Sequence, residues 1–174
     1  ANGNNADQFP TDGTQWEDQD GDGFGDNIAG NNADKFPTEP TQWYDSDDDG
    51  YGDNQAGLNP DAFPTDGTQW EDQDGDGYGD NQNGNNPDKF ITDQTQWFDA
   101  DGDGYGDNAN GNNPDLCPNT PFGNSVDSTG CSASQLDDDM DGVSIELDAC
   151  PSTPAGEGVD SSGCSGSQKD TDND

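Results

Sequence analysis

Apolar residues are sparse along the chain, and they recur with a fixed period instead of forming helical or strand-like patterns. A tryptophan stands at every 27th position, at Trp16, Trp43, Trp70 and Trp97. Glycine and proline interrupt every stretch between them, so neither an amphipathic helix nor an alternating strand is expected. We predict loops and turns with little regular secondary structure, and at most a single helical turn at each Thr-Gln-Trp segment.

A strict period predicts one small unit that is repeated. One unit runs from Asn85 to Asn108, and every unit offers at least a Phe, a Trp and a Phe or Tyr for packing. Three or four aromatic side chains cannot build a globular core, so units must stack on their neighbours and on metal. We therefore predict an irregular fold of stacked repeats, with four 27-residue repeats in residues 1–114 and a second format in residues 115–174.

The second format is marked by cysteines. Cys117 and Cys131 are 14 residues apart, as are Cys150 and Cys164, and the pairs repeat at 33 residues. An even number of regularly spaced cysteines in a chain with little core predicts disulfides and an oxidising compartment. Zinc is the alternative, but the chain has no His and no Cys-x-x-Cys motif. Phe9, Phe36, Phe63 and Phe90 hold the place that Cys117 holds in the second format.

Composition alone would favour a disordered acidic tail. The 174 residues carry a formal charge of −37, with three Lys, no Arg, no His and only 24% hydrophobic residues. A disordered acidic tail needs only charge, whatever the positions of its acidic residues, whereas these Asp residues occupy the same positions in every repeat. Bound cations would make folding and metal binding one event. The charge excludes nucleic acid as a partner, and no run is apolar enough to enter a membrane.

An acidic run follows each tryptophan and fits a 12-residue calcium loop, in which positions 1, 3, 5, 7 and 9 supply oxygens and position 6 is Gly. Position 7 supplies its backbone carbonyl. The predicted ligands in the four loops are Asp18, Asp20, Asp22, Phe24 and Asp26; Asp45, Asp47, Asp49, Tyr51 and Asp53; Asp72, Asp74, Asp76, Tyr78 and Asp80; and Asp99, Asp101, Asp103, Tyr105 and Asp107.

Position 12 of these loops carries no carboxylate, because it is Ala29, Ala56, Asn83 or Asn110. An Asn-x-Asp pair follows each loop at one spacing, and we predict that it closes the site or builds a second one beside it. The pairs are Asn32 and Asp34, Asn59 and Asp61, Asn86 and Asp88, and Asn113 and Asp115; Asn5 and Asp7 are the corresponding pair at the start of the chain.

The loop of the second format is more conventional, with Asp137, Asp139 and Asp141 at positions 1, 3 and 5, the Val143 carbonyl at 7 and Asp148 at 12. Asp170, Asp172 and Asp174 fit positions 1, 3 and 5 of another loop, which the end of the chain cuts. Calcium is favoured over magnesium because it accepts many carboxylates and carbonyls in flexible geometry. We expect roughly one or two ions per repeat.

These loops and the motif Asp-x-Cys-Pro-x-Thr-Pro with a later Val-Asp-x-x-Gly-Cys resemble thrombospondin type 3 repeats of secreted and surface proteins of bacteria. The Cys format at residues 115–174 carries the more specific part of the resemblance. The resemblance implies that the chain wraps calcium with little regular secondary structure and forms an irregular, calcium-stabilised extended rod. It implies calcium ligands at Asp137, Asp139, Asp141 and Asp148, and at the Asp residues of the 27-residue units.

Two functions follow as hypotheses. The first is a calcium-dependent stalk, spacer or fibre of an extracellular or cell-surface protein. The second is an adhesin whose exposed aromatics bind a glycan or a protein partner. An enzyme is not expected, because there is no His and no free nucleophile. The chain also begins and ends within repeats, which suggests either a segment of a longer array or head-to-tail assembly into a filament, with Asp7 completing the loop that starts at Asp170.

Overall fold

The computed structural model describes residues 6–169 of the chain. Within that range the only helix is α1, Gly166–Lys169, and the other regular features are isolated β-bridges between single residues. Parallel bridges join Gly25 to Ala33, Gly52 to Pro60, Gly79 to Pro87 and Gly106 to Pro114, and antiparallel bridges join Val126 to Ser132 and Val159 to Ser165. The prediction of an irregular fold with little secondary structure is confirmed, although the sequence did not indicate α1.

The chain forms two compact units, Ala1–Thr92 and Asp93–Asp174. The first unit contains the acidic loops that begin at Asp18, Asp45 and Asp72. The second contains the loop that begins at Asp99 and all of the Cys format. This division falls inside a 27-residue repeat, so it does not coincide with the change of format after residue 114.

The Thr-Gln-Trp segments are preceded by two successive turns, and the predicted helical turn is not present there. In the first repeat, the Asp12 N–H donates to the Phe9 carbonyl (2.9 Å) and the Gln15 N–H donates to the Asp12 carbonyl (3.1 Å). The Asp12 carboxylate accepts both the N–H (2.9 Å) and the hydroxyl (2.6 Å) of Thr14. A side chain that captures these donors offers the backbone an alternative to helix, which explains the difference.

Polar side chains occupy the interior that apolar residues fill in most proteins. Among residues 6–169, the only buried hydrophobic residue is Cys131. The largest fully buried side chains include Gln42, Gln69, Gln96 and the Asp residues at 34, 61 and 88. Such groups are tolerated inside a protein only when hydrogen bonds or ions satisfy them.

Aromatic rings connect consecutive repeats in the first unit. The ring of Phe24, at position 7 of the first loop, stacks on Trp43 of the next repeat with centroids 5.1 Å apart and planes at 4°. Tyr51 stacks on Trp70 in the same way, at 5.3 Å and 6°. Phe24 and Tyr51 therefore each lie between an acidic loop and the tryptophan of the following repeat.

Candidate metal centre

The first Asp of each acidic loop organises the loop backbone. In the first loop, Asp18 accepts the N–H of Gly21 on Oδ1 (2.7 Å) and the N–H of Gly23 on Oδ2 (3.1 Å). Both glycines have positive φ, 84° and 96°, a conformation that L side chains rarely adopt. The chain thereby curls around the carboxylate at position 1, as in a calcium loop.

The carboxylates at positions 3 and 5 each use one oxygen for the backbone and leave the other without a partner. Asp20 Oδ1 accepts the Asp22 N–H (3.2 Å), and Asp22 Oδ1 accepts the Phe24 N–H (2.8 Å). The Oδ2 atoms of both Asp residues are buried and receive no hydrogen bond. The same pair of unpartnered oxygens occurs in the second and third loops, at Asp47 and Asp49 and at Asp74 and Asp76.

Positions 1, 3 and 5 bring their carboxylates together in all five described loops. One oxygen from each of the three Asp residues lies within 4.8 Å of the other two. The triplets are Asp18, Asp20 and Asp22; Asp45, Asp47 and Asp49; Asp72, Asp74 and Asp76; Asp99, Asp101 and Asp103; and Asp137, Asp139 and Asp141. Each triplet could hold a metal ion.

A fourth carboxylate, from beyond the loop, interacts electrostatically with this cluster. Asp34 is 1% exposed, its Oδ1 accepts the Phe36 N–H (2.7 Å), and its Oδ2 is buried without a partner. Desolvation, with added repulsion from Asp22 and Asp20, raises the pKa of Asp34 to about 6. Asp61 and Asp88 repeat this arrangement with no exposure and with pKa values also raised to about 6 by desolvation. We call Asp34, Asp61, Asp88, Asp115 and Asp148 the closing Asp residues.

Both repeat formats hold the closing Asp at the same point of the loop. The Asp34 N–H donates to the Gly25 carbonyl (2.9 Å), and the Asp148 N–H donates to the Ser144 carbonyl (2.9 Å), each carbonyl being eighth in its loop. Nine positions separate Gly25 from Asp34 but only four separate Ser144 from Asp148, so the 27-residue format carries five extra residues. The absence of a carboxylate at position 12 is thus compensated by a five-residue insertion.

A buried glutamine holds each insertion in place. Gln15 is 3% exposed; its Nε2 donates to the carbonyls of Asn27 (3.1 Å) and Asn31 (3.0 Å), and its Oε1 accepts the Asn27 N–H (3.0 Å). Gln42, Gln69 and Gln96 make the same three hydrogen bonds in their own repeats. Sequence reasoning missed these residues; their only signal was the constant Gln before each Trp.

The Asn residues of the Asn-x-Asp pairs shape the backbone beside the cluster. Asn32, Asn59, Asn86 and Asn113 have φ between 42° and 46°, the left-handed region in which Asn is enriched, and their side chains are exposed. This turn returns the chain to the loop two residues before the closing Asp. Metal ligation by these Asn side chains stays a prediction, as does ligation by the backbone carbonyls of Phe24, Tyr51, Tyr78, Tyr105 and Val143.

The Asp at position 9 reaches back across the loop. Asp26 Oδ1 accepts the Gln19 N–H (3.3 Å), and Asp53 Oδ1 accepts the Ser46 N–H (3.2 Å). Asp107 makes a longer contact of the same kind with Ala100 (3.5 Å). In the third loop, Asp80 Oδ1 is buried and unpartnered, and desolvation raises the pKa of Asp80.

The loops of the second unit are completed differently. The Thr120 N–H donates to Asp101 Oδ2 (2.6 Å), and the Thr153 N–H donates to Asp139 Oδ2 (2.7 Å). The closing residues Asp115 and Asp148 are half-buried rather than fully buried. A Cβ placed on Gly163 would lie 2.0 Å from Asp148 Oδ1 and 3.2 Å from Asp141 Oδ2. Only glycine therefore leaves room for both carboxylates at this point.

The four cysteines form the disulfides Cys117–Cys131 and Cys150–Cys164, which confirms the predicted disulfides. The N–H groups of Cys117 and Cys150 donate to the closing Asp (both 2.7 Å), as the Phe36 N–H does, so Phe and Cys are equivalent positions. Asp7 Oδ1 likewise accepts the Phe9 N–H (2.9 Å). Asn5, Asp170, Asp172 and Asp174 lie outside the described residues.

The donor set fits a hard cation. In each of the first three loops, three or four carboxylate oxygens are buried with no hydrogen-bond donor among the described residues, and the Asp residues at positions 1, 3 and 5 bring oxygens within 4.8 Å of one another. Buried carboxylates without partners are costly, and a bound cation removes that cost. Oxygen ligands without His or thiolate exclude the softer metals from these clusters.

No protein-family model matches the chain, and no curated protein matches it either. Within residues 6–169, no helix has the length and apolar character needed to cross a bilayer.

Proposed function

We propose that this chain is an extracellular calcium-binding structural repeat protein whose repeats fold around the ion and serve as a stalk, spacer or fibre. The observation that carries the proposal is the fully buried closing Asp. Asp34, Asp61 and Asp88 each bury an oxygen that has no hydrogen-bond partner. The Asp residues at positions 3 and 5 of the preceding loop repel them and also have buried, unpartnered oxygens. A folded chain has no reason to bury these groups together unless a cation accompanies them.

Calcium is the ion that suits this set of donors best. The clusters offer several carboxylates on a loop with the spacing and glycine placement of a calcium loop, and magnesium rarely occupies cages made wholly of protein. Secreted and surface environments supply millimolar calcium and also permit the two disulfides. The resemblance to thrombospondin type 3 repeats supports the same choice.

A structural role is supported by how little else the repeats contain. Among residues 6–169 the interior is made of Gln and Asp side chains, and consecutive repeats meet through a stacked ring pair. Hydrogen-bonded turns of this kind gain most of their stability from a bound ion, as in other small metal-dependent domains. We infer a segment whose order, and therefore its stiffness, depends on calcium.

Calcium titration of the metal-free chain tests this proposal. Isothermal calorimetry should detect at least one ion for each of the five described loops, and small-angle scattering with circular dichroism should show the chain becoming ordered over the same range of calcium. Magnesium at equal concentration is the matched control. A chain that binds no calcium, or that stays expanded at millimolar calcium, would overturn the proposal.

A groove favours the adhesin as a second candidate function. The groove has a volume of about 410 Å³ and is lined by Tyr51, Asn59, Pro60, Trp70 and Glu71. Aromatic rings beside amide and carboxylate groups are a common surface for neutral sugars, whose C–H faces pack on rings while hydroxyls bond the polar groups. A glycan screen with the calcium-loaded chain and with Glu71→Gln would detect it; binding that the variant does not weaken would exclude this groove.

A further inference from the structure

The two compact units satisfy their acidic groups by different means. Among residues 6–169, thirteen buried carboxylate oxygens have no hydrogen-bond partner, and ten of these belong to residues 6–92. The two loops of the second unit have three, at Asp103, Asp139 and Asp141. The first unit thus leaves about three such oxygens per loop, whereas the second leaves about half as many.

Backbone donors explain part of this difference. In the second unit, the Thr120 and Thr153 N–H groups donate to the position-3 carboxylates at 2.6 and 2.7 Å. In the first unit, the corresponding Oδ2 atoms of Asp20, Asp47 and Asp74 are unpartnered. A charged acceptor that keeps a backbone donor loses less free energy when the cation leaves.

The second unit is also closed covalently. Each disulfide of the second unit spans 14 residues, and a disulfide that closes a loop of about this length shifts an unfolding equilibrium by roughly a hundredfold. A polar network supports each one: the Thr120 hydroxyl contacts the Gly130 carbonyl (3.0 Å) and Gln135 Oε1 (2.7 Å), and Gln135 Nε2 donates to the Cys117 carbonyl (2.8 Å). Thr153 and Gln168 repeat this network.

The first unit has neither these backbone donors to its position-3 carboxylates nor a disulfide. No cysteine occurs in residues 1–92, and no apolar side chain is fully buried in residues 6–92. Its closing Asp residues are at most 1% exposed, so solvent cannot compensate them when no ion is bound. Its structure therefore depends on the cation in every repeat.

From these observations we propose that the chain contains a cation-dependent half and a cation-tolerant half. Removing the cation unfolds the repeats of residues 6–92, while the disulfide-closed segments 117–131 and 150–164 keep their structure. This inference rests on the proposed function, since it requires that the clusters bind calcium. It adds that calcium regulates order in one part of the chain and leaves the other part as a permanent element.

Equivalent amides in the two formats provide a direct test. In the first unit, the Lys35 N–H donates to the Trp43 carbonyl and the Ala62 N–H donates to the Trp70 carbonyl, both at 3.1 Å. In the second unit, the N–H groups of Leu116 and Ala149 donate to the carbonyls of Thr129 and Ser162, both at 2.9 Å. All four amides follow a closing Asp directly, so their hydrogen exchange reports the same local structure in different contexts.

Amide exchange of the full chain should be measured by NMR with saturating calcium and after removal of metal. We expect the protection of Lys35 and Ala62 to fall at least tenfold more than that of Leu116 and Ala149. Equal loss in both units, or an earlier loss in the second, would overturn the inference while leaving calcium binding intact. If calcium alters protection in neither unit, the proposed function itself fails.

A cysteine variant separates the contribution of the disulfides. Cys150→Ser with Cys164→Ser removes one staple and leaves Cys117–Cys131 as a control within the same molecule. In metal-free solution we expect Ala149 to lose its protection while Leu116 keeps it, and calcium to restore Ala149. If the Ala149 amide of the metal-free variant stays as protected as in the native chain, the disulfide is not what preserves the structure of this segment without the cation.

Discussion

The backbone N–H of Asp34 donates to the carbonyl of Gly25 at 2.9 Å, and this bond places a residue of the following segment against the first acidic loop. Asp61 and Gly52, Asp88 and Gly79, and Asp115 and Gly106 repeat the bond at the same distance. Because the closing Asp also begins the Phe- or Cys-containing part of the next repeat, each acidic loop is joined to a side chain from the repeat that follows it.

Asp34→Asn tests the closing position, because its effect on stability should be opposite with and without calcium. The Asn side chain can still accept the Phe36 N–H but removes the buried charge. With calcium we expect weaker binding at this site by about tenfold or more, or about 1.4 kcal/mol, because a charged ligand is lost. Without calcium the variant should be more stable than the native chain, since the desolvation of a buried charge and its repulsion from Asp22 and Asp20 are relieved.

Calorimetry and denaturant unfolding, each with and without calcium, measure both effects of Asp34→Asn. Glu17→Gln in the same repeat is the control, because it removes the same charge from an exposed side chain. Destabilisation under both conditions would show that Asp34 has only a structural role.

Gln42→Met tests the support of the insertion. Met has a similar volume but makes none of the three hydrogen bonds of Gln42. It therefore leaves the Asn54 N–H and the Leu58 carbonyl unsatisfied, while the Asn54 carbonyl keeps the Gly57 N–H (2.8 Å). We expect a loss of about 2–4 kcal/mol in unfolding free energy, since each buried unpaired group costs about 1–3 kcal/mol.

Calcium binding at the second loop should weaken in Gln42→Met, because the insertion positions Asp61. Titration calorimetry checks this, with the exposed Gln73→Met as the control. Unchanged calcium affinity in Gln42→Met would mean that Asp61 is positioned without the insertion.

Met140→Gly should stabilise the last described loop. Met140 lies at position 4 with φ of 59° and is 90% exposed, whereas the first, third and fourth loops have glycine there. The left-handed conformation costs an L residue about 1–2 kcal/mol, so glycine should add about 1 kcal/mol to the unfolding free energy in calcium. Met140→Leu keeps the strain and should leave stability unchanged; equal effects of the two substitutions would exclude a backbone cause.

The stability of the metal-free chain should depend on pH in a direction opposite to that of the calcium-loaded chain. The folded pKa values of Asp34, Asp61 and Asp88 are about 6, above the ordinary value of 3.8. Protonation therefore favours the folded state below pH 3.8, and this stabilisation is lost as pH rises through 6. With calcium, the ionised form binds the ion, so stability should rise over the same interval.

Denaturant unfolding at a series of pH values measures this dependence. Protein stripped of metal, in metal-free buffer, should be used in preference to a chelator, whose affinity for calcium also changes with pH. The same slope with and without calcium would contradict the assignment of these three carboxylates to the ion.

The sequence predicted the parts of the site that depend on local spacing. Alternate Asp residues closed by Gly fold into a loop by themselves, so the triplets led by Asp18 and its equivalents were visible in the sequence. The closing Asp residues of the 27-residue format were also visible in the sequence, because their distance from the loop is the same in each repeat. The burial of Gln15 was not, since a Thr-Gln-Trp segment has the composition of a surface turn and its partners at Asn27 and Asn31 lie twelve or more residues away.

The shared bond between the closing Asp and the eighth loop residue makes the two formats interchangeable at their junctions. The loop that begins at Asp99 belongs to the 27-residue format, yet Asp115, which closes it, begins the Cys format. A loop therefore meets the same attachment whichever unit follows, and whole units can be added, removed or exchanged by recombination without a compensating change in their neighbours. Length and covalent reinforcement can then evolve as separate properties of one chain.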